Sequence, residues 1–168
     1  MLKLAYSLGE LNFQQLMEVY AQGNRENGAL QYPQLTSGMQ LLQAEQDFYA
    51  FLREFYRVKG AVYALWIVDG RYVSALRLEP YRDGLLLEAL ETAPDCRRRG
   101  YGKSLILAAL EALCREKNVP VYSHVHKRNQ ASLGVHTACG FQKILNHAVY
   151  IDGSVTSRSV TLCWRGDR

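Results

Sequence analysis

Leu2, Leu4 and Tyr6 alternate with Lys3, Ala5 and Ser7, the two-residue period of a short strand. The period then lengthens. Asn12 is placed to cap a helix, and Phe13, Leu16, Met17 and Tyr20 follow at helical spacing. Residues 23–38, GNRENGALQYPQLTSG, are crowded with Gly, Asn, Pro and Ser, which predicts a loop. A longer helix is expected from about Met39 to Val58. Leu41, Glu45, Phe48, Leu52 and Phe55 share one line of it, with Leu42, Tyr49 and Tyr56 beside them.

From Ala61 the pattern becomes strand-like. AVYALWIV and RYVSALRLEP are β-rich runs joined by Asp69-Gly70, a hairpin signal that accepts positive φ. Asp83-Gly84 marks a second turn before the strand LLLEALE, in which strict alternation sets Glu88 on the face opposite Leu87 and Ala89. A helix is expected from near Gly100 to about Lys117, with Leu105, Ile106, Ala109, Leu110 and Leu113 on its apolar face and Arg115, Glu116 and Lys117 as a solvated end. Pro120 opens the strand VYSHV, and Asn129 caps a short helix that Gly140 terminates. Two last strands, FQKILNHAVYI and SRSVTLCW, flank Asp152-Gly153. The order β-α-α-β-β-β-α-β-α-β-β describes one mixed sheet with helices on both faces, a single α+β domain over residues 1–168.

Composition narrows the class. With 168 residues and 48% apolar content the chain can bury a sizeable core. The net charge of +4 suits an anionic ligand but is too small and dispersed for nucleic acid. The N-terminus lacks the apolar run of a signal peptide, and no stretch is long enough to cross a bilayer, so a cytoplasmic protein without a membrane partner is expected. Cys96, Cys114, Cys139 and Cys163 are far apart and form no C-x-x-C pair, which favours free thiols in a reducing compartment.

The most informative segment is LEALETAPDCRRRGYGKSLILAAL, residues 87–110, where a strand enters a glycine-bearing turn and the turn enters a helix. A helix start leaves backbone N–H groups without internal partners and carries partial positive charge. Gly100 and Gly102 remove side chains that would keep a diphosphate from those donors, and Arg97, Arg98, Arg99 and Lys103 surround the same point. Two other phosphate loops fail on the residue that matters. A Walker A loop ending in Gly102-Lys103-Ser104 needs its first glycine at Arg97, and a dinucleotide-binding G-x-G-x-x-G needs its third at Leu105.

Arg97-Arg98-Arg99-Gly100-Tyr101-Gly102 resembles the [QR]-x-x-G-x-[GA] pyrophosphate loop of the GNAT N-acetyltransferase superfamily. Thr92-Ala93-Pro94 resembles the V-x-P that precedes it. Asn129, Ser132, His136 and Gly140-Phe141 are similar to the family's N-x-x-[AS]-x-x-x-[YH]-x-x-x-G-F block. The resemblance covers most of residues 61–165.

It implies a GNAT fold: a mixed, mostly antiparallel sheet of about seven strands, whose central parallel pair splays to admit the pantetheine of acetyl-CoA. Here those strands end at Glu91-Thr92 and near His124. Leu90, Glu91 and Thr92 would pair with pantetheine through their backbone, and one N–H there would polarise the thioester carbonyl. The implied cofactor contacts are Arg97, Arg98, Arg99, Gly100, Tyr101, Gly102, Lys103, Ser104, Asn129, Ser132 and His136.

The implied reaction is direct transfer of acetyl to a small-molecule or peptide amine, with no covalent acetyl-enzyme. For the general base there are two candidates. Relatives carry a basic glutamate one pleat before Glu88, where this chain has Leu86; some ribosomal-protein acetyltransferases place a glutamate at the position of His124, and imidazole suits that task. His136 aligns with the tyrosine that many relatives aim at the departing sulfur, and is the candidate acid. His124 and His126 have a zinc-compatible spacing but no third ligand near in sequence, so no metal is expected. The alternative is a catalytically inactive acyl-CoA sensor of the same fold. The resemblance leaves the acceptor unspecified and is compatible with a monomer or a homodimer.

Overall fold

The computed structural model describes residues 1–114 and 119–166; the expected helix end at Arg115, Glu116 and Lys117 lies outside them. In chain order the elements are β1 (Leu2–Ala5), α1 (Phe13–Val19), α2 (Ala21–Gln31), α3 (Ser37–Phe55), β2 (Val62–Val68), β3 (Arg71–Tyr81), β4 (Gly84–Thr92), α4 (Tyr101–Leu113), β5 (Val121–His126), α5 (Gln130–Ala138), β6 (Gln142–Leu145), β7 (Ala148–Val149), β8 (Val155–Thr156) and β9 (Ser159–Trp164). Seven strands make one sheet in the order β1-β2-β3-β4-β5-β9-β6, and β7-β8 form a separate two-stranded ladder. Every pairing in the large sheet is antiparallel except β4 with β5.

The alternation along each strand feeds two cores. Val62, Ala64, Leu76, Leu78 and Leu87 face Leu105, Ile106, Ala109 and Leu110 of α4. Tyr63, Leu65 and Ala75 point the other way, onto Leu16 and Met17 of α1 and Leu52 and Phe55 of α3. Burying both faces of the central strands explains why β2 reads as a continuous apolar run. The Asp69-Gly70 turn has φ +49° and +76°, the left-handed pair that such a hairpin requires.

Three sequence expectations are corrected. Residues 23–38 are not a loop, since α2 occupies most of the segment. Its glycine content permits contact: at Gly28 an added Cβ would lie 2.5 Å from the carbonyl oxygen of Gln40, so only glycine lets α2 lie this close to α3. Secondly, the strand expected over FQKILNHAVYI is divided into β6 and β7, whereas the one expected over SRSVTLCW is the undivided β9, with β8 an addition before it. Leu145 and Ala148 belong to different ladders: β7 pairs with β8, while β6 and β9 stay in the main sheet. Thirdly, alternation fails at Ala89. Arg77 pairs with Glu88 and Ala75 with Glu91, so Leu76 alone faces two residues of β4, a β-bulge. Ala89 takes φ +52° and packs with the α1–α3 side rather than with Leu87.

Candidate active site

β4 and β5 pair only through Leu85–Val121, Leu86–Tyr122 and Leu87–Ser123. Beyond Leu87 the strands part. The bulge draws β4 away from β5, and two side chains hold it there: Tyr20 Oη donates to the Ala89 carbonyl at 2.6 Å, Ser74 Oγ donates to the Glu91 carbonyl at 2.6 Å, and Ser74 Oγ lies 3.0 Å from Thr92 Oγ1. The opened space has two parts. A cleft of about 630 Å³ runs over the start of α4, and a smaller cavity of about 170 Å³ continues between the strands.

The large cleft gathers most of the expected cofactor contacts. Leu90, Glu91, Thr92, Arg97, Arg98, Gly100, Tyr101, Gly102, Lys103, Asn129 and Ser132 line it. Gly100 caps α4 with φ +79° and offers no side chain to the helix start, so the first-turn N–H groups are left for a ligand. Arg98 is held in the left-handed region at φ +60°. An added Cβ at Gly102 would meet Thr92 Oγ1 at 3.5 Å and Leu90 Cδ1 at 3.8 Å, ordinary contacts; the glycine keeps the cleft floor open rather than relieving a clash.

Arg97 is fixed by the protein. Its Nε donates to the Thr92 carbonyl at 3.3 Å and its Nη1 to Gln22 Oε1 at 2.6 Å, while Nη2 faces Glu91 Oε2 at 3.5 Å. Burial pushes the Glu91 carboxyl above its ordinary range, opposed by the Arg97 charge. Arg99 and Ser104 are absent from the cleft lining. The Ser104 N–H is already committed to the Gly100 carbonyl at 3.0 Å. Gln22, Cys96, Ala131 and Val135 line the cleft without having been expected there. Ala131 and Val135 sit inside the Asn129–His136 block, whereas Gln22 lies between the first expected helix and the stretch read as loop, where no motif marks it.

The smaller cavity brings Glu88, His124 and His136 to one place, together with Ser123, His126 and Asn129. Glu88 accepts from Arg77 Nη2 at 3.1 Å, and the Arg77 guanidinium lies over the Phe51 ring, 4.6 Å from its centroid. His124 stands edge-on between Tyr81 and Tyr150, at 5.6 Å and 5.2 Å between centroids. Both of its ring nitrogens are buried and without a hydrogen-bond partner. Burial lowers its pKa, with the nearby Glu88 charge opposing that effect and Arg82 adding to it. Burial thus favours the neutral imidazole, whose two nitrogens are not committed to any other protein group.

His136 is differently placed. It is buried; its Nδ1 lies 2.7 Å from the Ser132 carbonyl and its Nε2 lies 3.1 Å from Ser123 Oγ. Burial lowers its pKa while the Ser132 carbonyl raises it, the former dominating. With Nδ1–H donating to that carbonyl, Nε2 accepts the Ser123 hydroxyl, and both ring nitrogens are committed. Asn129 does cap α5, its Oδ1 accepting from the Ser132 N–H at 3.0 Å. Leu86 is buried with Tyr81, Tyr122 and Cys163, on the same face as Glu88. Cys96, Cys139 and Cys163 are buried thiols, and burial raises the pKa of the last two. Among the described residues no three His, Cys, Asp or Glu side chains converge as metal ligands, and no helix is long and apolar enough to cross a membrane.

Comparison with known proteins agrees with this geometry. Residues 28–141 match the acetyltransferase (GNAT) family, and the chain belongs to that family. No curated protein matches at a significant level. Among solved structures, the fold is similar to PaiA N-acetyltransferase from Thermoplasma acidophilum, solved in complex with coenzyme A, at 17% identity and TM-score 0.64, covering 98% of this chain and 99% of that one. It is similar to ribosomal-protein-alanine N-acetyltransferase from Brucella melitensis at 18% identity and TM-score 0.64, covering 98% and 99%. A GNAT-family acetyltransferase from Bacillus cereus matches at 15% identity and TM-score 0.62, covering 100% and 99%.

Proposed function

We propose that the protein is an acetyl-CoA-dependent N-acetyltransferase that moves the acetyl group directly from thioester to amine. The observation that carries this is the parting of β4 from β5 just where an uncapped, glycine-started helix opens a 630 Å³ cleft beside it. A diphosphate fits that helix start, and a pantetheine arm fits the exposed edge of β4 at Leu90–Thr92, where it would extend the sheet as a strand does. Acetyl-CoA supplies the activated acyl carbon.

The chain's own groups do the rest. The N–H groups of α4's first turn, with Arg98 and Lys103, hold the diphosphate. A backbone N–H by the Ala89 bulge polarises the thioester carbonyl. The amine enters from the face that carries Glu88, Tyr81 and Tyr150, and His124 accepts its proton. The C–N bond forms, the C–S bond breaks, and the proton that the nitrogen sheds on becoming an amide goes to the departing thiolate, which leaves as CoA thiol. Glu88, engaged with Arg77, partly offsets the lowering of the His124 pKa by burial. His136 contributes by holding Ser123 and the start of α5, both of which border the cavity.

Titration with CoA in a thermal-shift assay, beside ATP with magnesium, tests the cleft. CoA is expected to raise the melting temperature without magnesium and ATP-magnesium to leave it unchanged. Release of free thiol from acetyl-CoA in the presence of a panel of amines tests the transfer. CoA binding with no turnover on any amine, and no effect of His124→Ala, would leave an acyl-CoA sensor instead.

A further inference from the structure

α2 is poorly suited to standing alone. Its eleven residues include two glycines and two asparagines, and no side chain caps its start. Its placement therefore depends on its neighbours. Gly28 lies against α3, and the buried Asn24 Nδ2 donates to Met17 Sδ at 3.3 Å. A third contact leads to the cofactor loop, where Arg97 Nη1 donates to Gln22 Oε1 at 2.6 Å. The orientation of that amide is set from behind, because Gln22 Nε2 donates to Glu26 Oε1 at 2.8 Å and so turns the oxygen toward Arg97. Glu26, Gln22, Arg97 and Glu91 thus form a polar chain from the exposed side of α2 to the edge of β4.

We infer that Gln22 is a positioning residue of the cofactor cleft, and that through Arg97 it couples cofactor occupancy to the placement of α2. This rests on the cleft being a CoA site. A guanidinium has five N–H donors in one plane. Arg97 commits Nε to the Thr92 carbonyl and one hydrogen of Nη1 to Gln22, and Nη2 makes only a 3.5 Å ion pair. A diphosphate in the cleft draws on the uncommitted donors while Gln22 keeps its own. The guanidinium is then fixed between two acceptors, and α2 loses freedom with it. Since coupling between sites is reciprocal, an α2 held in place also strengthens cofactor binding. α2 packs on α3, whose Phe51 covers Arg77 on the acceptor face, so an occupied cleft steadies the wall that the amine meets.

Hydrogen–deuterium exchange with and without CoA, on the full chain and on Gln22→Met, tests the inference. Gln22 is exposed, and methionine keeps its length and helix propensity while removing the acceptor oxygen. In the wild-type chain CoA is expected to slow exchange across residues 21–31. In Gln22→Met the CoA dissociation constant is expected to rise about three- to tenfold, as for one lost hydrogen bond, and CoA no longer slows α2. A merely looser helix would exchange faster in both states and still respond to CoA, which would overturn the coupling. Wild-type affinity in the variant, or an α2 indifferent to CoA in the wild-type chain, would overturn it too, leaving the CoA site intact. A wild-type chain that fails to bind CoA would sink both readings.

Discussion

At His124 two requirements meet: the group must be neutral to accept a proton, and it must have no competing partner. Burial supplies the first, and the lack of a hydrogen-bond partner at either ring nitrogen the second. His124→Gln is expected to lower kcat by about 10²-fold or more, the ordinary worth of a positioned base, with the CoA dissociation constant unchanged. Because the imidazole pKa lies below its ordinary 6.5, kcat/KM should fall on the acid side only below that pH. An acid limb that His124→Gln leaves unchanged would remove His124 from the role. Gly102→Glu puts a carboxylate where the diphosphate belongs and should abolish CoA binding in a calorimetric titration. Gly102→Ala, whose methyl meets nothing closer than 3.5 Å, should fold normally. At this scale the sequence was readable where a residue acts on its immediate neighbours, as Gly100 does at the start of α4 and Asn129 in capping α5. It was silent on Gln22 and on the bonds of His136, because both depend on partners far along the chain.

Among the elements, α2 and the bulge in β4 were hidden for the same physical reason: local propensity opposes them and tertiary contact imposes them. A glycine-rich run gives no helical periodicity, and only the packing on α3 reveals why glycine is there. The two glycines of α2 should therefore respond in opposite directions. Gly28→Ala drives a methyl into the Gln40 carbonyl and should cost about 1–3 kcal/mol in urea unfolding despite the better helix propensity. Gly23→Ala meets nothing within 4 Å and should add about 0.5–1 kcal/mol. The bulge had no signal, since an alanine at φ +52° looks in sequence like any other strand residue. By contrast β2, β3, the capped α1 and α4 carried their periods plainly, and the structure keeps them within a few residues of the expected bounds.

For the whole molecule, the half-buried His124 and the buried His136 contribute to the response to acid near neutrality. His124 and His136 both have pKa values lowered by burial, so the folded chain takes up protons less readily than the unfolded one. Stability is then complete above the unfolded value near 6.5 and is lost progressively as pH falls below it toward the folded values. Melting temperature measured from pH 8 to pH 5 should hold flat to about 6.5 and then decline. His136→Asn should reduce the decline below pH 6.5 while lowering stability at neutral pH.

Gly84 closes the fold in a way that reaches well beyond its own turn. There a Cβ would sit 2.0 Å from the Pro120 carbonyl oxygen, and Leu85 N–H bonds that same oxygen at 3.0 Å. The parallel strands are thus riveted at one end and free at the other, like the blades of shears, and three paired residues set the angle between them. A small displacement at the rivet is magnified toward the tips, so the breadth of the gap that admits a substrate is governed from the far side of the sheet.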